Sequence, residues 1–107
     1  MLLTLYKDSK SSFLNALDEK AVAYQSEQGA ALLASGLTIE VPWGPGVGEL
    51  LAHMLIRWRR AKPTRSVMLT FENNTLGELM KYSPAEVEWL LPTVKQISIL
   101  DLAPPDP

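Results

Sequence analysis

Prolines and glycines divide the chain into short segments, and the positions of these residues are the strongest constraint on its fold. Pro42, Pro63 and Pro92 each end a segment, because proline interrupts both helices and strand ladders. Between these prolines and glycines, the apolar residues recur with the period of a strand in some segments and with the period of a helix in others. Alternating short strands and helices favour one sheet with helices packed on it. The sequence therefore predicts an α+β fold.

Four segments have the apolar alternation that is typical of strands. They are residues 2–6, 37–41, 66–72 and 97–100. Residues 21–26 predict a further short strand, although a continued helix fits them as well. Residues 29–36 are rich in alanine and remain ambiguous.

Three segments have helical spacing. The first contains Phe13, Leu14 and Leu17 at helical spacing and ends near Lys20. Its possible N-cap residues are Asp8, Ser9, Ser11 and Ser12. The second covers 48–61, and its buried stripe comprises Val47, Leu51, Met54, Leu55 and Trp58. The third begins at Ser83 and Pro84, an N-cap serine followed by proline at the first helical position, and ends at Pro92.

Residues 75–82 have two interpretations. Asn73 and Asn74 indicate a turn, because asparagine tolerates positive φ. The following residues either return as the second arm of a hairpin or form a helix that Thr75 and Glu78 would cap.

The length and composition are those of one small domain. The chain has 107 residues, of which 47% are hydrophobic and 21% are charged, and this balance argues against disorder. We predict one domain over 1–102, with a mixed or antiparallel sheet of about four to six strands and about three helices. Residues 103–107 are rich in proline and are expected to form a flexible tail.

The absence of cysteine and the single histidine exclude several classes of site. The sequence lacks disulfides, thiolate nucleophiles and any metal site that needs a cysteine or two imidazoles. We therefore expect neither a metal nor a cofactor. No apolar run approaches the roughly 20 residues of a membrane-spanning helix, and the N-terminus lacks the basic segment of a secretion signal. These features favour a cytoplasmic protein that does not bind membranes.

Half of the ten basic residues lie in one segment, at the predicted end of the second helix. They are Arg57, Arg59, Arg60, Lys62 and Arg65. Cations at a helix C-terminus interact favourably with the helix dipole, which is a sufficient structural reason for the cluster. Guanidinium groups also bind phosphate, and the interleaved Trp58 can stack on a base unless it packs in the core. The segment therefore predicts a surface for an acidic protein, with RNA or a small anionic ligand as the alternative.

The loop 43–48 joins a predicted strand to a predicted helix. Gly44, Gly46 and Gly48 leave room for an anion at the helix N-terminus. However, their spacing lacks the third glycine of the dinucleotide fingerprint, and no Gly-Lys-Ser/Thr motif follows. A tight turn is the simpler interpretation, and a weak anion-binding loop is the second.

Two tryptophans are of interest as possible contact residues. Trp43 lies in a loop between Pro42 and Gly44, where it either covers the core or contacts a partner, since exposed tryptophan is typical of interface anchors. Trp89 lies beside a pair of leucines, which allows it to pack in the core.

The titratable residues do not form a recognisable catalytic set. His53 shares its predicted helix face with Glu49 and Arg57, which is typical of an exposed charge ladder. Neighbouring carboxylates such as Asp18 and Glu19 point to different faces of a helix. An enzyme would need carboxylates that are distant in sequence to meet in a cleft, and this is our third hypothesis.

The segment 75–95 can form two helices joined by a short turn, as in helix-turn-helix DNA-binding proteins. Glu86 and Glu88 lie near the start of the helix that would read the bases, where they would repel phosphate. The net charge of −2 also provides no overall attraction to nucleic acid. The sequence therefore argues against DNA binding.

Together these features predict a non-enzymatic protein-interaction domain. A small regulator, adaptor or inhibitor-type protein of bacterial or phage origin fits them. The expected partner is another protein or a second copy of the chain, which would form a homodimer through an open sheet edge.

Overall fold

A six-stranded mixed sheet is the scaffold of the protein. The computed structural model describes residues 1–7, 9–26 and 36–102. Within these residues the strands are β1 (Leu2–Lys7), β2 (Gln25–Ser26), β3 (Gly36–Glu40), β4 (Arg65–Phe71), β5 (Leu76–Glu78) and β6 (Val94–Asp101). The helices are α1 (Ser9–Glu19), α2 (Val47–Ala61) and α3 (Pro84–Leu90), and 3₁₀ turns cover Leu79–Lys81 and Leu91–Thr93. The predicted α+β fold is confirmed, with strand and helix numbers in the expected range.

The first and last of these strands are neighbours in the middle of the sheet. The strand order is β2-β3-β1-β6-β4-β5. β1 pairs with β6 in parallel, and the other pairs are antiparallel. In the central register Leu5 lies opposite Ile99, and Ile99 in turn lies opposite Val67.

One face of the sheet forms the core with the helices. Alternate apolar residues of the four central strands point to this face and are buried: Leu3, Leu5, Ile39, Val67, Leu69, Ile97 and Ile99. α1 contacts β1 and β6, α2 contacts β4, and α2 also contacts both α1 and α3. Phe13, Leu55 and Val87 are buried in the same cluster, one from each helix. The three helices therefore cover the same face of the sheet.

The helix α2 agrees closely with the sequence-based prediction. Leu51, Met54, Leu55 and Trp58 are buried, and Val47 is partly buried. Gly46 is its N-cap residue and has a φ of 80°, a backbone conformation that favours glycine. The helix ends at Ala61, because Lys62 is already extended before Pro63.

The segment 21–26 forms less strand than predicted. Only Gln25 and Ser26 pair with β3. Ala21, the second residue after α1, has a φ of 55°, and the N–H of Val22 donates to the carbonyl of Leu17. The chain therefore uses most of this segment to turn away from the helix. Of the ambiguous segment 29–36, only Gly36 lies within the described residues.

Each interpretation of 75–82 accounts for part of that segment. Leu76–Glu78 pairs with β4 as the arm of a hairpin, and Leu79–Lys81 then forms a 3₁₀ turn. The change occurs at Glu78, whose carboxylate accepts a hydrogen bond from the N–H of Met80. The predicted tail, 103–107, lies outside the described residues. Among the residues that are described, no helix is long and apolar enough to cross a membrane.

Candidate interaction surface on α2

A wide groove follows the outer face of α2. Its volume is about 1100 Å³, and most of its lining comes from α2 itself. Lys20, directly after α1, and Pro84, at the start of α3, also line it. Small-ligand pockets have volumes of roughly 300–1,000 Å³, so this open groove is large enough for a segment of a macromolecule. We call it the α2 groove.

The α2 groove is electropositive. Glu49, His53, Arg57 and Arg60 are exposed and lie on one face of α2, because residues three and four apart are neighbours on a helix. Lys20 adds a further cation. Among the described lining residues Glu49 is the one carboxylate. None of Lys20, Arg57 and Arg60 forms a salt bridge with another described residue.

Apolar side chains lie between these charges. Leu50 is 37% exposed, and Val47 is partly buried beside it. Met54 and Ile56 also line the groove, although most of their surface is buried in the core. A lining of aliphatic side chains beside exposed cations suits a partner that is itself part apolar and part acidic.

The basic residues of the predicted cluster do not form one surface. Arg57 and Arg60 line the α2 groove, and Lys62 is exposed just beyond the helix. Arg59 points elsewhere, and its Nε lies 3.3 Å from Oε1 of Glu78 at the end of β5. The structure therefore brings two of the five predicted cations together in the groove.

Arg65 lies inside the protein and is not part of the predicted surface. Its Nε is 3.2 Å from Oδ2 of Asp101, and its Nη1 donates a hydrogen bond of 3.0 Å to the carbonyl of Trp58. Thr64 donates to the other carboxylate oxygen of Asp101 over 2.8 Å. These bonds connect the end of α2 to the last residue of β6, so the role of Arg65 is structural.

Trp58 is also part of the interior. Its exposed fraction is 4%, and its ring meets Phe13 edge-on with a centroid distance of 5.5 Å. The guanidinium carbon of Arg65 lies 4.3 Å from the centre of the Trp58 ring, and Trp58 Nε1 donates to Ser12 Oγ over 3.2 Å. Trp58 is therefore not available to stack on a nucleic-acid base.

The glycine loop forms the turn that begins α2. The N–H of Val47 donates to the carbonyl of Gly44, and the N–H of Leu50 donates to the carbonyl of Gly46. Gly48 contacts the Trp43 ring closely, since a Cβ at Gly48 would lie 3.1 Å from a ring carbon. The turn accounts for Gly46, which has a positive φ, and for Gly48, which lies against the Trp43 ring; anion binding there stays a prediction.

Trp43 is partly packed and partly exposed. Its ring packs against Gly48 at the start of α2, yet 48% of the residue is exposed. Trp43 is not among the described residues that line the α2 groove, although Pro45, two positions later, is one of them. A contact between Trp43 and a partner therefore stays a prediction.

The described clefts do not bring carboxylates together. The α2 groove holds Glu49, a second cleft holds Glu72, and a third holds Glu19, with one carboxylate among the described residues of each. His53 faces the groove in the charge ladder that the sequence predicts. The described residues contain no group of three or more His, Asp or Glu side chains close enough to hold a metal ion.

Two features of the surface were not anticipated. Lys20 joins the groove although it is distant in sequence from Arg57, and local spacing gives no signal for that contact. Trp89 is 77% exposed rather than buried. The exposure of Trp89 could have been predicted from its place in the helix. Val87 is fully buried, and a residue two positions later on a helix points to the opposite side.

Comparison with known proteins assigns no family to the chain. No family model matches it, and no curated protein or solved structure is significantly similar to it. Function is therefore inferred from the α2 groove itself.

Proposed function

We propose that this protein is a non-enzymatic binding domain that holds an acidic, partly apolar segment of a protein partner in the α2 groove. The observation that supports this function is a set of three cations, Lys20, Arg57 and Arg60, that form no salt bridge with another described residue and lie beside the aliphatic lining of one groove. A role as a small regulator, adaptor or inhibitor-type protein of a bacterium or phage fits such a surface.

Covering the α2 groove changes the surroundings of both its apolar and its charged side chains. Leu50 loses contact with water, and the guanidinium groups of Arg57 and Arg60 exchange water for carboxylates in a drier environment. Hydrogen bonds to charged groups contribute about 1.5–3 kcal/mol each, and arginine is enriched among the residues that dominate binding energy. The distance from Arg57 to Arg60 along α2 is about 4.5 Å, so one turn of a helical partner would span these two cations.

The same surface fits nucleic acid less well. Proteins that bind single strands combine cations with aromatic side chains on which bases stack. The described lining of the α2 groove contains no phenylalanine, tyrosine or tryptophan, and Trp58 is buried in the core. With a net charge of −2, the protein also lacks a general attraction to polyanions.

Two charge-reversed proteins of equal net charge test the proposal. One carries Arg57→Glu and Arg60→Glu in the groove. The other carries Lys81→Glu and Lys95→Glu, at two exposed lysines outside it. Each is used, beside the wild type, to capture proteins from lysate of the source cell with and without ribonuclease. The acidic segment of any captured partner is then synthesised and titrated calorimetrically against the three purified proteins.

We expect the segment to bind the wild type and the lysine control within about twofold of each other. The arginine variant should bind at least about tenfold more weakly, since it loses two charge-assisted contacts. Binding to the wild type should also weaken as salt is added. Equal binding by both variants would show that the groove is not the site, and capture that ribonuclease abolishes would identify RNA as the ligand instead.

A further inference from the structure

The two ends of the α2 groove differ in their chemistry. The groove follows α2 from Val47 to Ala61, a distance of about 21 Å along the helix. Towards the start of α2 its lining is mainly aliphatic, with the exposed Leu50 beside Val47. Towards the end of α2 it contains the exposed Arg57 and Arg60. We call these the apolar end and the cationic end.

Two further charged residues of the groove strengthen this difference. Lys20 lies at the cationic end, because it lines the third cleft, between α1 and α2, together with Arg57 and Ala61. Glu49 lies at the apolar end, next to Leu50 and about 12 Å along the helix from Arg57. A carboxylate of the partner is attracted to the cationic end and repelled by Glu49. The charges therefore determine which end receives the acidic part of the partner.

The described lining of the groove offers no strand edge to an extended peptide. Most of the lining comes from α2, whose backbone groups are bonded within the helix. Backbone N–H and C=O groups of the partner that lose water need hydrogen-bond partners of their own. A helix provides these within the bound segment, and amphipathic helices bind grooves through residues that share one face. The lining therefore favours a helical occupant over an extended one.

Electrostatics also favours one direction for a helical occupant. Carboxylates stabilise a helix when they lie in its first turn, and the carboxylates of the partner bind at the cationic end. The N-terminus of the partner then lies beside the C-terminus of α2, whose last carbonyl groups carry partial negative charge. In this arrangement the two helices run antiparallel and their dipoles oppose each other.

We propose that the bound segment is an amphipathic helix that lies antiparallel to α2, with two carboxylates near its start and a large aliphatic residue two turns later. This inference rests on the proposed function, because it specifies what occupies the same groove. The spacing mirrors that of α2, in which Arg60 follows Arg57 by three positions and Leu50 precedes Arg57 by seven. Residues at these spacings share one face of a helix. The partner therefore carries an acidic residue, a second three positions later, and an aliphatic residue seven positions after that.

Two synthetic peptides of identical composition test this pattern. Each has sixteen residues, mostly alanine and glutamine, which favour a helix. The matched peptide has glutamate at its third and sixth positions and leucine at its thirteenth. In the shifted peptide the glutamates occupy the first and fourth positions, on the other side of the helix from the leucine. Circular dichroism compares the helicity of the two peptides before binding is measured.

Each peptide is titrated calorimetrically into the wild type and into the variants Leu50→Ala and Leu76→Ala. Leu76 is the matched control, since it is an exposed leucine that does not line the groove. We expect the wild type to bind the matched peptide at least about fivefold more tightly than the shifted one, because only the matched peptide presents glutamates and leucine together. Leu50→Ala should weaken the matched complex at least about threefold, and Leu76→Ala should leave it within about twofold.

Equal binding of the two peptides overturns the proposal, and so does the absence of detectable binding by the matched peptide. A paramagnetic label at the N-terminus of the matched peptide then measures its direction. Broadening of the amide resonances of residues 58–61 supports the antiparallel arrangement. Broadening confined to residues 46–49 shows the parallel one and overturns the proposed direction.

A failure of this pattern is distinguishable from a failure of the proposed function. If the matched peptide does not bind, but a captured acidic segment binds the wild type more tightly than the Arg57→Glu and Arg60→Glu protein, the groove is the site and the helical pattern is wrong. If the matched peptide binds that charge-reversed protein as tightly as the wild type, the groove is not the site and both proposals are wrong.

Discussion

Replacing Asp101 by leucine is expected to destabilise the protein by about 3–5 kcal/mol. Asp101 and Arg65 are 5% and 9% exposed, and their side chains approach to 3.2 Å. The substitution leaves the guanidinium of Arg65 buried without its carboxylate, and an uncompensated buried charge costs far more than an exposed one. Domains of this size are stable by about 5–15 kcal/mol in total, so the loss would be a large fraction of the stability.

Urea denaturation followed by circular dichroism measures this loss. With a slope of about 2 kcal/mol per molar urea, the midpoint of unfolding should fall by roughly 1.5–2.5 M. The exposed pair provides the control. Arg59 and Glu78 have side chains that are 24% and 25% exposed, and Arg59→Met should change the stability by no more than about 1 kcal/mol.

The double variant Arg65→Met with Asp101→Leu separates charge from packing. Apolar residues that replace both members of a buried ion pair are often nearly neutral, so the second substitution should recover most of the loss. Some deficit should remain, because Arg65 also contacts the ring and the carbonyl of Trp58. A loss below about 1 kcal/mol for Asp101→Leu, or simple additivity of the two substitutions, would refute this account of the pair.

Three further predictions concern single residues, each checked by urea denaturation. Gly77→Ala should lower the free energy of unfolding by about 1–3 kcal/mol, because the new Cβ would lie 2.5 Å from the Tyr82 hydroxyl. The control is Gly44→Ala, which should be nearly neutral because its Cβ would lie 3.9 Å from Val47 Cγ2, its nearest contact outside the neighbouring residues. Equal losses of stability in the two variants would contradict the contact at Gly77. Ser83→Ala removes the N-cap of α3 and should cost about 1 kcal/mol; no change would show that the capping box is dispensable. Trp89→Ser should stay within about 0.5 kcal/mol of the wild type, since the side chain is exposed; a larger loss would mean that Trp89 packs on the fold.

The elements that the sequence predicted well are those whose signals are local. The apolar stripe of α2 follows the helical period over about three turns, and its residues are buried as expected, with Val47 partly so. The start of α3 combines Ser83, Pro84 and Glu86 within four positions, and the capping box forms. Residues 75–82 gave two competing local signals, and the structure uses a strand for one part and a 3₁₀ turn for the other.

The interaction surface was less predictable because it depends on distant contacts. In the sequence Arg65 lies among other basic residues, which indicated an exposed position. It is buried because it pairs with Asp101 at the end of β6, a residue that is distant in sequence. Lys20 reaches the α2 groove because α1 packs beside α2. Arg57 and Arg60 were predicted correctly as exposed residues, since their helix positions place them away from the apolar stripe.

The central pairing of β1 with β6 has a consequence for how the protein is made. β6 is the one strand that connects β3 and β1 to β4 and β5, and it is the last of the described strands to be synthesised. Until residues 94–101 leave the ribosome, the nascent chain holds two incomplete sheets whose inner edges have no partner. Folding must then wait for contacts between strands that are distant in sequence, which are slow to form. We therefore expect the sheet to assemble only once β6 has been synthesised, with the unpaired edges of β1 and β4 as the sites that chaperones protect in the meantime.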